Sequence, residues 1–66
     1  MHFAIEHEQE EDGRSLAEVP KLPGVLAYGA TAVEAMVKAQ ALALRVLAER
    51  LENDEIGPQS ISIAVA

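Results

Sequence analysis

The sequence predicts a single small α+β domain spanning residues 1–66, with one helix packed on a sheet in the order β-β-β-α-β. Three observations predict it. Apolar residues alternate with others near both ends of the chain, the signature of strands with one buried side. Residues 32–52 contain neither Gly nor Pro and are dominated by Ala and Leu, the composition of a long helix. Between these stretches, clusters of Asp, Gly and Pro punctuate the chain where turns belong.

The first strand is read over His2 to His7, with Phe3, Ile5 and His7 on one face and His2, Ala4 and Glu6 on the other. Glu8 to Gly13 is polar and ends in Asp12-Gly13, a strong hairpin signal. Arg14 to Val19 returns as the second strand, although Leu16 falls out of parity with Ala17 and Val19. Pro20-Lys21-Leu22-Pro23-Gly24 is a shaped loop, because two prolines fix φ and Gly24 is free to take a positive one. Val25 to Tyr28 forms a third short strand, stopped by Gly29. Hairpin connections among these three predict a sheet of antiparallel type.

Thr31 and Glu34 fit a capping box, the Thr31 hydroxyl accepting from the Glu34 N–H and the Glu34 side chain reaching back to the N–H of Thr31. The helix then runs to about Glu52. Asn53 to Pro58 breaks it, and Ser60 to Ala66 closes the chain as a strand with Ile61, Ile63 and Val65 on one side. On the helix, Glu34, Lys38, Arg45, Glu49 and Glu52 share a stripe roughly 60° wide. Opposite that stripe, Val33, Met36, Ala43, Leu47 and Leu51 are expected to pack on the sheet. One flank carries Ala35, Leu42 and Val46, the other Val37 and Leu44. A helix on one sheet needs an apolar arc of roughly 100°. This one has more, so the Val37 and Leu44 flank is expected to meet another chain, most simply in a homodimer or a higher homo-oligomer.

Composition narrows the function. Half of the 66 residues are hydrophobic and none is cysteine, which removes disulfides and thiolate metal sites. No apolar run approaches the roughly 20 residues of a membrane span, and the N-terminus has no signal-peptide pattern, so a cytoplasmic protein without membrane contact is expected. The net charge is −6. Residues 1–12 hold Glu6, Glu8, Glu10, Glu11 and Asp12 with no Lys or Arg, an acidic end that repels nucleic acid and is read either as a solvated acidic turn or as a surface that steers a basic protein toward the domain. With one Tyr, one Phe and five basic residues, the chain lacks the stacking and phosphate contacts of a nucleic-acid binder.

Enzymatic readings fare poorly. His2 and His7 are predicted on opposite faces of a strand, and neither has an obvious third metal ligand. Ser15, Ser60 and Ser62 lack the glycines of a nucleophile elbow, and neither a P-loop nor a dinucleotide fingerprint occurs. A metal-dependent nuclease needs carboxylates converging from different elements, whereas five acids fall close together before Gly13. No catalytic residue, metal or cofactor is expected.

Glu11-Asp12-Gly13 in the turn is followed by Ala17-Glu18-Val19-Pro20, Leu22-Pro23-Gly24 and Gly29-Ala30-Thr31-Ala32-Val33-Glu34-Ala35. In order and spacing these pieces resemble the HicB-like antitoxin domain family, over residues 3–51. The resemblance implies a partial ribonuclease-H-like fold without that fold's catalytic carboxylates. It also implies a partner, a small basic toxin of the HicA type that cleaves RNA, which the domain would sequester in a toxin-antitoxin system. The alternative is a self-associating structural or regulatory domain with no toxin partner. Ser15, Lys21 and Val25 depart from the aromatic, acid and Cys that family members often carry at those places. Operator binding is not expected, since no helix-turn-helix or ribbon-helix-helix pattern accompanies the resemblance. The motif residues Asp12, Gly13, Ala17, Pro20, Leu22, Pro23, Gly24, Gly29, Thr31, Glu34 and Ala35 are all expected to determine the fold rather than to form a site.

Overall fold

The computed structural model describes residues 1–66. Its elements follow the predicted order: β1 (His2–Gln9), β2 (Ser15–Glu18), β3 (Leu26–Gly29), α1 (Ala32–Glu52) and β4 (Ser62–Val65). They build one four-stranded sheet in the order β3-β2-β1-β4. The first three strands pair antiparallel, as their hairpin connections require, while β4 lies parallel to β1 and makes the sheet mixed. The crossover explains that direction. The chain leaves β3 at one edge, returns along α1 and re-enters at the other edge, so β4 must run the same way as β3 and β1.

β1 is longer than its apolar alternation suggested, continuing past His7 to Gln9. The hairpin beyond it is tight. Gly13 N–H donates to Glu10 C=O at 3.0 Å, Glu10 N–H donates to Arg14 C=O at 2.7 Å, and Gly13 has φ +89°. That is the three-residue connection in which a turn is followed by a left-handed residue, the position glycine fills at least cost. Asp12 secures it by accepting from the Arg14 N–H at 3.0 Å.

The second loop inserts a side chain into the core. Leu22 N–H donates to Val19 C=O and Val25 N–H to Leu22 C=O, two successive turns with a proline in each. Gly24, at φ +87°, takes the left-handed place in the second turn. The result buries Val19, Leu22 and Val25 together.

The core lies between α1 and the face of β1, β2 and β3 that it covers, and contains Phe3, Ile5, Ala17, Val19, Leu22, Val25, Ala35, Ala39, Ala43 and Leu47. The helix face is rotated partway from the one its apolar count suggested: Ala43 and Leu47 pack on the sheet as expected, but the centre shifts toward Ala35 and Ala39. Ala35, Ala39, Ala43 and Leu47 are buried, while Val33 and Leu51, expected against the sheet, are 66% and 38% exposed. Met36 is partly buried, as are Leu42 and Val46. Small side chains decide the rotation. A Cβ placed on Gly29 would lie 2.6 Å from the Ala35 backbone nitrogen, so the helix start is drawn closely onto β3 with Ala35 beneath it. Alanines along the seam let the helix axis approach, and close packing outweighs the bulk of Val33 and Leu51.

Candidate functional site: the open face of the sheet

Only one face of the sheet is covered by the helix. Because side chains alternate, Phe3 and Ile5 of β1 and Ser15 and Ala17 of β2 point toward it. The same parity places Glu6, Glu8, Leu16, Glu18, Leu26 and Tyr28 on the other face. The strand register arranges them in two cross-strand rows, Glu6–Glu18–Leu26 and Glu8–Leu16–Tyr28. Leu16, out of parity with its strand's core residues, thus belongs to this second face and packs between Glu8 and Tyr28 rather than in the core.

The rows combine uncompensated charge with exposed apolar area. Glu6, Glu8 and Glu18 are exposed, and the two ion pairs of the chain, Arg14–Asp12 at 2.8 Å and Lys38–Glu34 at 2.9 Å, involve none of them. Leu26 and Tyr28 are 45% and 41% exposed. Arg14 stacks on the Tyr28 ring, 4.5 Å from its centroid, and its Nε donates to Asp12. Its charge is thereby shared between a carboxylate and an aromatic face. Glu6, Glu8, Leu16 and Glu18, with His7, line a shallow depression on this surface.

The acidic end of the chain is therefore divided further along than its alternation suggested. Glu10, Glu11 and Asp12 lie in the hairpin region, but Glu8 joins Glu6 on the β1 surface because the strand extends to Gln9. Glu18 joins them from β2, and Leu26 and Tyr28 from β3. The signal for the site was the matching parity of Glu6 and Glu8, Leu16 and Glu18, and Leu26 and Tyr28. No set of three or more His, Asp or Glu side chains is placed to share a metal ion.

The motif residues serve other places. Asp12 and Gly13 form the hairpin, where the Arg14 N–H and then its guanidinium hold the Asp12 carboxyl below the usual carboxylate range. Ala17, Leu22 and Ala35 are core, and Pro20, Pro23 and Gly24 shape the loop that inserts Leu22. Gly29 admits the helix. Thr31 Oγ1 accepts from the Glu34 N–H at 3.1 Å, the first half of the capping box. The second half differs from expectation, because Glu34 Oε2 accepts from the N–H of Ala30, one residue before Thr31, at 3.3 Å. The other oxygen of that carboxylate is held by Lys38 Nζ, so the group bridges the helix surface and the entering chain. Lys38 and then the Ala30 N–H depress the Glu34 pKa below 4.5.

The helix leaves a second apolar surface. Val33, Val37, Leu44 and Leu51 are 66%, 60%, 51% and 38% exposed. Val37 and Leu44, the flank singled out in the sequence, are thus free of the domain's own core. Val37, Leu44 and Leu51 recur every seven residues, which keeps them on one line along α1. No helix of the chain is long and apolar enough to cross a membrane.

Comparison with protein-family models, with curated proteins and with solved structures finds no match for this chain.

Proposed function

We propose that the chain is a non-enzymatic protein-binding domain that captures a small basic protein on the open face of its sheet. The observation that carries this reading is the pair of rows in which Glu6, Glu8 and Glu18 lie beside Leu16, Leu26 and Tyr28. An apolar and aromatic surface with unpaired acids beside it is one a complementary protein recognises: burial supplies affinity, and charge supplies steering and choice of partner. The absence of Lys or Arg paired with these acids leaves the charge available to a partner.

The motif resemblance gives the partner a chemistry. A HicB-like antitoxin domain of partial ribonuclease-H-like fold would hold a basic, RNA-cleaving toxin of the HicA type in the cytoplasm. The β-β-β-α-β order with one helix on the sheet is compatible with that assignment. Capture from the native cell lysate at low salt, with the bound protein identified by mass spectrometry, tests the reading. A small basic protein in near-stoichiometric amount is expected, released as salt is raised. Recovery of the chain alone would overturn it.

A second reading has its own observation. The Val33, Val37, Leu44 and Leu51 line on α1 favours self-association, as a homodimer or a higher homo-oligomer, whether or not a toxin partner exists. Leu44→Glu or Val37→Glu is expected to weaken that association while helix content stays intact. Sedimentation of the wild type as a monomer at high concentration would contradict it.

A further inference from the structure

The two edges of the sheet are treated differently. At the β3 edge, the register to β2 turns the backbone groups of Leu26 and Tyr28 outward, and Lys38 Nζ donates to the Tyr28 carbonyl at 3.4 Å. A lysine over an edge carbonyl is one of the devices that prevent another strand from adding there. Nothing comparable guards β4. No Asp, Glu, Lys or Arg follows Glu55 in the sequence, and β4 has a neighbour on one side only, β1.

The ladder to β1 fixes which groups of β4 are free. Ser62 N–H donates to Met1 C=O at 3.0 Å, and Ala66 N–H to Ile5 C=O at 2.9 Å. The charged N-terminus donates to Ser60 C=O. Residues 60, 62, 64 and 66 therefore address β1, and by the alternation of a parallel ladder the N–H and C=O of Ile61, Ile63 and Val65 point outward. Such a row is self-complementary. Two copies related by a two-fold axis at Ile63 would pair Ile63 with Ile63 and Ile61 with Val65 in antiparallel fashion, each pair exchanging both its N–H···O=C bonds.

The side chains favour the same arrangement. Ile63 and Val65 are in register with Phe3 and Ile5, so they lie on the helix side of the sheet, yet Val65 is 57% exposed. α1 covers β3, β2 and β1. Lys38 reaches β3 from one flank of α1, and Leu44 lies on the opposite flank, each about 120° around the helix from the buried centre. The exposed Leu44 line is thus turned toward the β4 side. Strand pairing alone falls short of the roughly 1,000 Å² that a stable interface needs, and the helix line supplies further apolar area beside it.

We propose that β4 is a self-pairing edge, through which a second copy of this chain extends the sheet across a two-fold axis. The proposal rests on the self-association reading and gives it a geometry. An uncharged, apolar edge has nothing with which to select a basic partner, whereas an identical edge satisfies every one of its backbone groups. The acids of the open face stay clear of the axis, so each copy keeps its own surface for a partner.

Sedimentation equilibrium of the full chain, wild type against Val65→Pro, Val65→Lys and Leu44→Glu, tests it. Proline at 65 removes an outward donor and leaves the bonds to β1 in place, and lysine charges the edge. The wild type is expected to be a dimer, and either Val65 variant to dissociate on the order of tenfold more readily or beyond. Hydrogen exchange on the wild type adds a readout that needs no variant: the Ile63 and Val65 amides should gain protection as concentration rises. A dimer that survives both Val65 substitutions but is broken by Leu44→Glu would overturn the edge and retain self-association through the helix. A monomeric wild type would overturn both. Open-ended polymers would contradict the two-fold axis.

Discussion

Glu6 on β1 and Glu18 on β2 are direct cross-strand partners, both exposed and neither joined to a cation. Like charges directly opposite destabilise a sheet by a few tenths of a kcal/mol up to ~1 kcal/mol. The domain carries that cost on the face its helix leaves open, and a basic partner would turn it into attraction.

Replacing Glu18 with Gln or Lys should therefore stabilise the isolated domain by about 0.2–1 kcal/mol. A higher midpoint in urea denaturation, with the gain shrinking in high salt, is the expected result. The same change should weaken capture of a basic protein, so stability and binding move in opposite directions.

Gly29 and Ala35 set the distance between sheet and helix. Gly29→Ala would place a methyl 2.6 Å from a backbone nitrogen, which cannot rotate away. Overpacking of this kind costs about 1–3 kcal/mol, and a lowered thermal midpoint with the helix start displaced is expected. Gly13→Ala meets no atom within 4 Å, so any loss there comes from its positive φ alone.

Thr31→Ala removes the acceptor that caps Glu34 and should cost about 1 kcal/mol. An unchanged denaturation midpoint would contradict the cap. Thr31→Ser keeps the oxygen and should restore most of the loss.

Glu34 gives the helix start a pH dependence. Its carboxyl is held below 4.5 by Lys38 and the Ala30 N–H, so its contribution is fully present above that value. As pH falls through the lower folded pKa, the native carboxylate takes up its proton and the contribution is lost. Glu34→Gln should flatten the acid limb of the stability curve, read as urea midpoints at successive pH values. Asp12, depressed by Arg14, acts in the same sense at the hairpin.

Much of the fold could be read in the residues because local signals agreed with one another. Asp12-Gly13, Pro23-Gly24 and Thr31 with Glu34 each mark a turn or a cap by chemistry that does not depend on the rest of the chain. The rotation of α1 was harder, because its apolar residues cover more of its surface than one sheet can bury. Val33 and Leu51 are larger than Ala35 and Ala39, yet the alanines are inside. Only the approach of Ala35 to Gly29, a tertiary fact, selects among the possible faces.

The open-face site was partly legible. The acids of the first 12 residues are conspicuous and Glu6 could be read on the first strand, but Glu8 separates from Glu10, Glu11 and Asp12 only once β1 is seen to reach Gln9. A polar stretch such as Glu8-Gln9 has no apolar alternation to mark it as strand, and it is held there by pairing with β2. Likewise, Leu16 looked like a defect in the alternation of β2. Its partners Glu8 and Tyr28 are distant in sequence and meet it only through register.

The central claim is that Glu6, Glu8 and Glu18 receive a basic protein. The most direct measurement compares lysate capture by the wild type with that by Glu6→Gln/Glu8→Gln/Glu18→Gln, after circular dichroism has established equal folding. The account predicts a small basic protein in near-stoichiometric amount with the wild type and its loss with the triple variant. Undiminished recovery of that protein by the triple variant would contradict it.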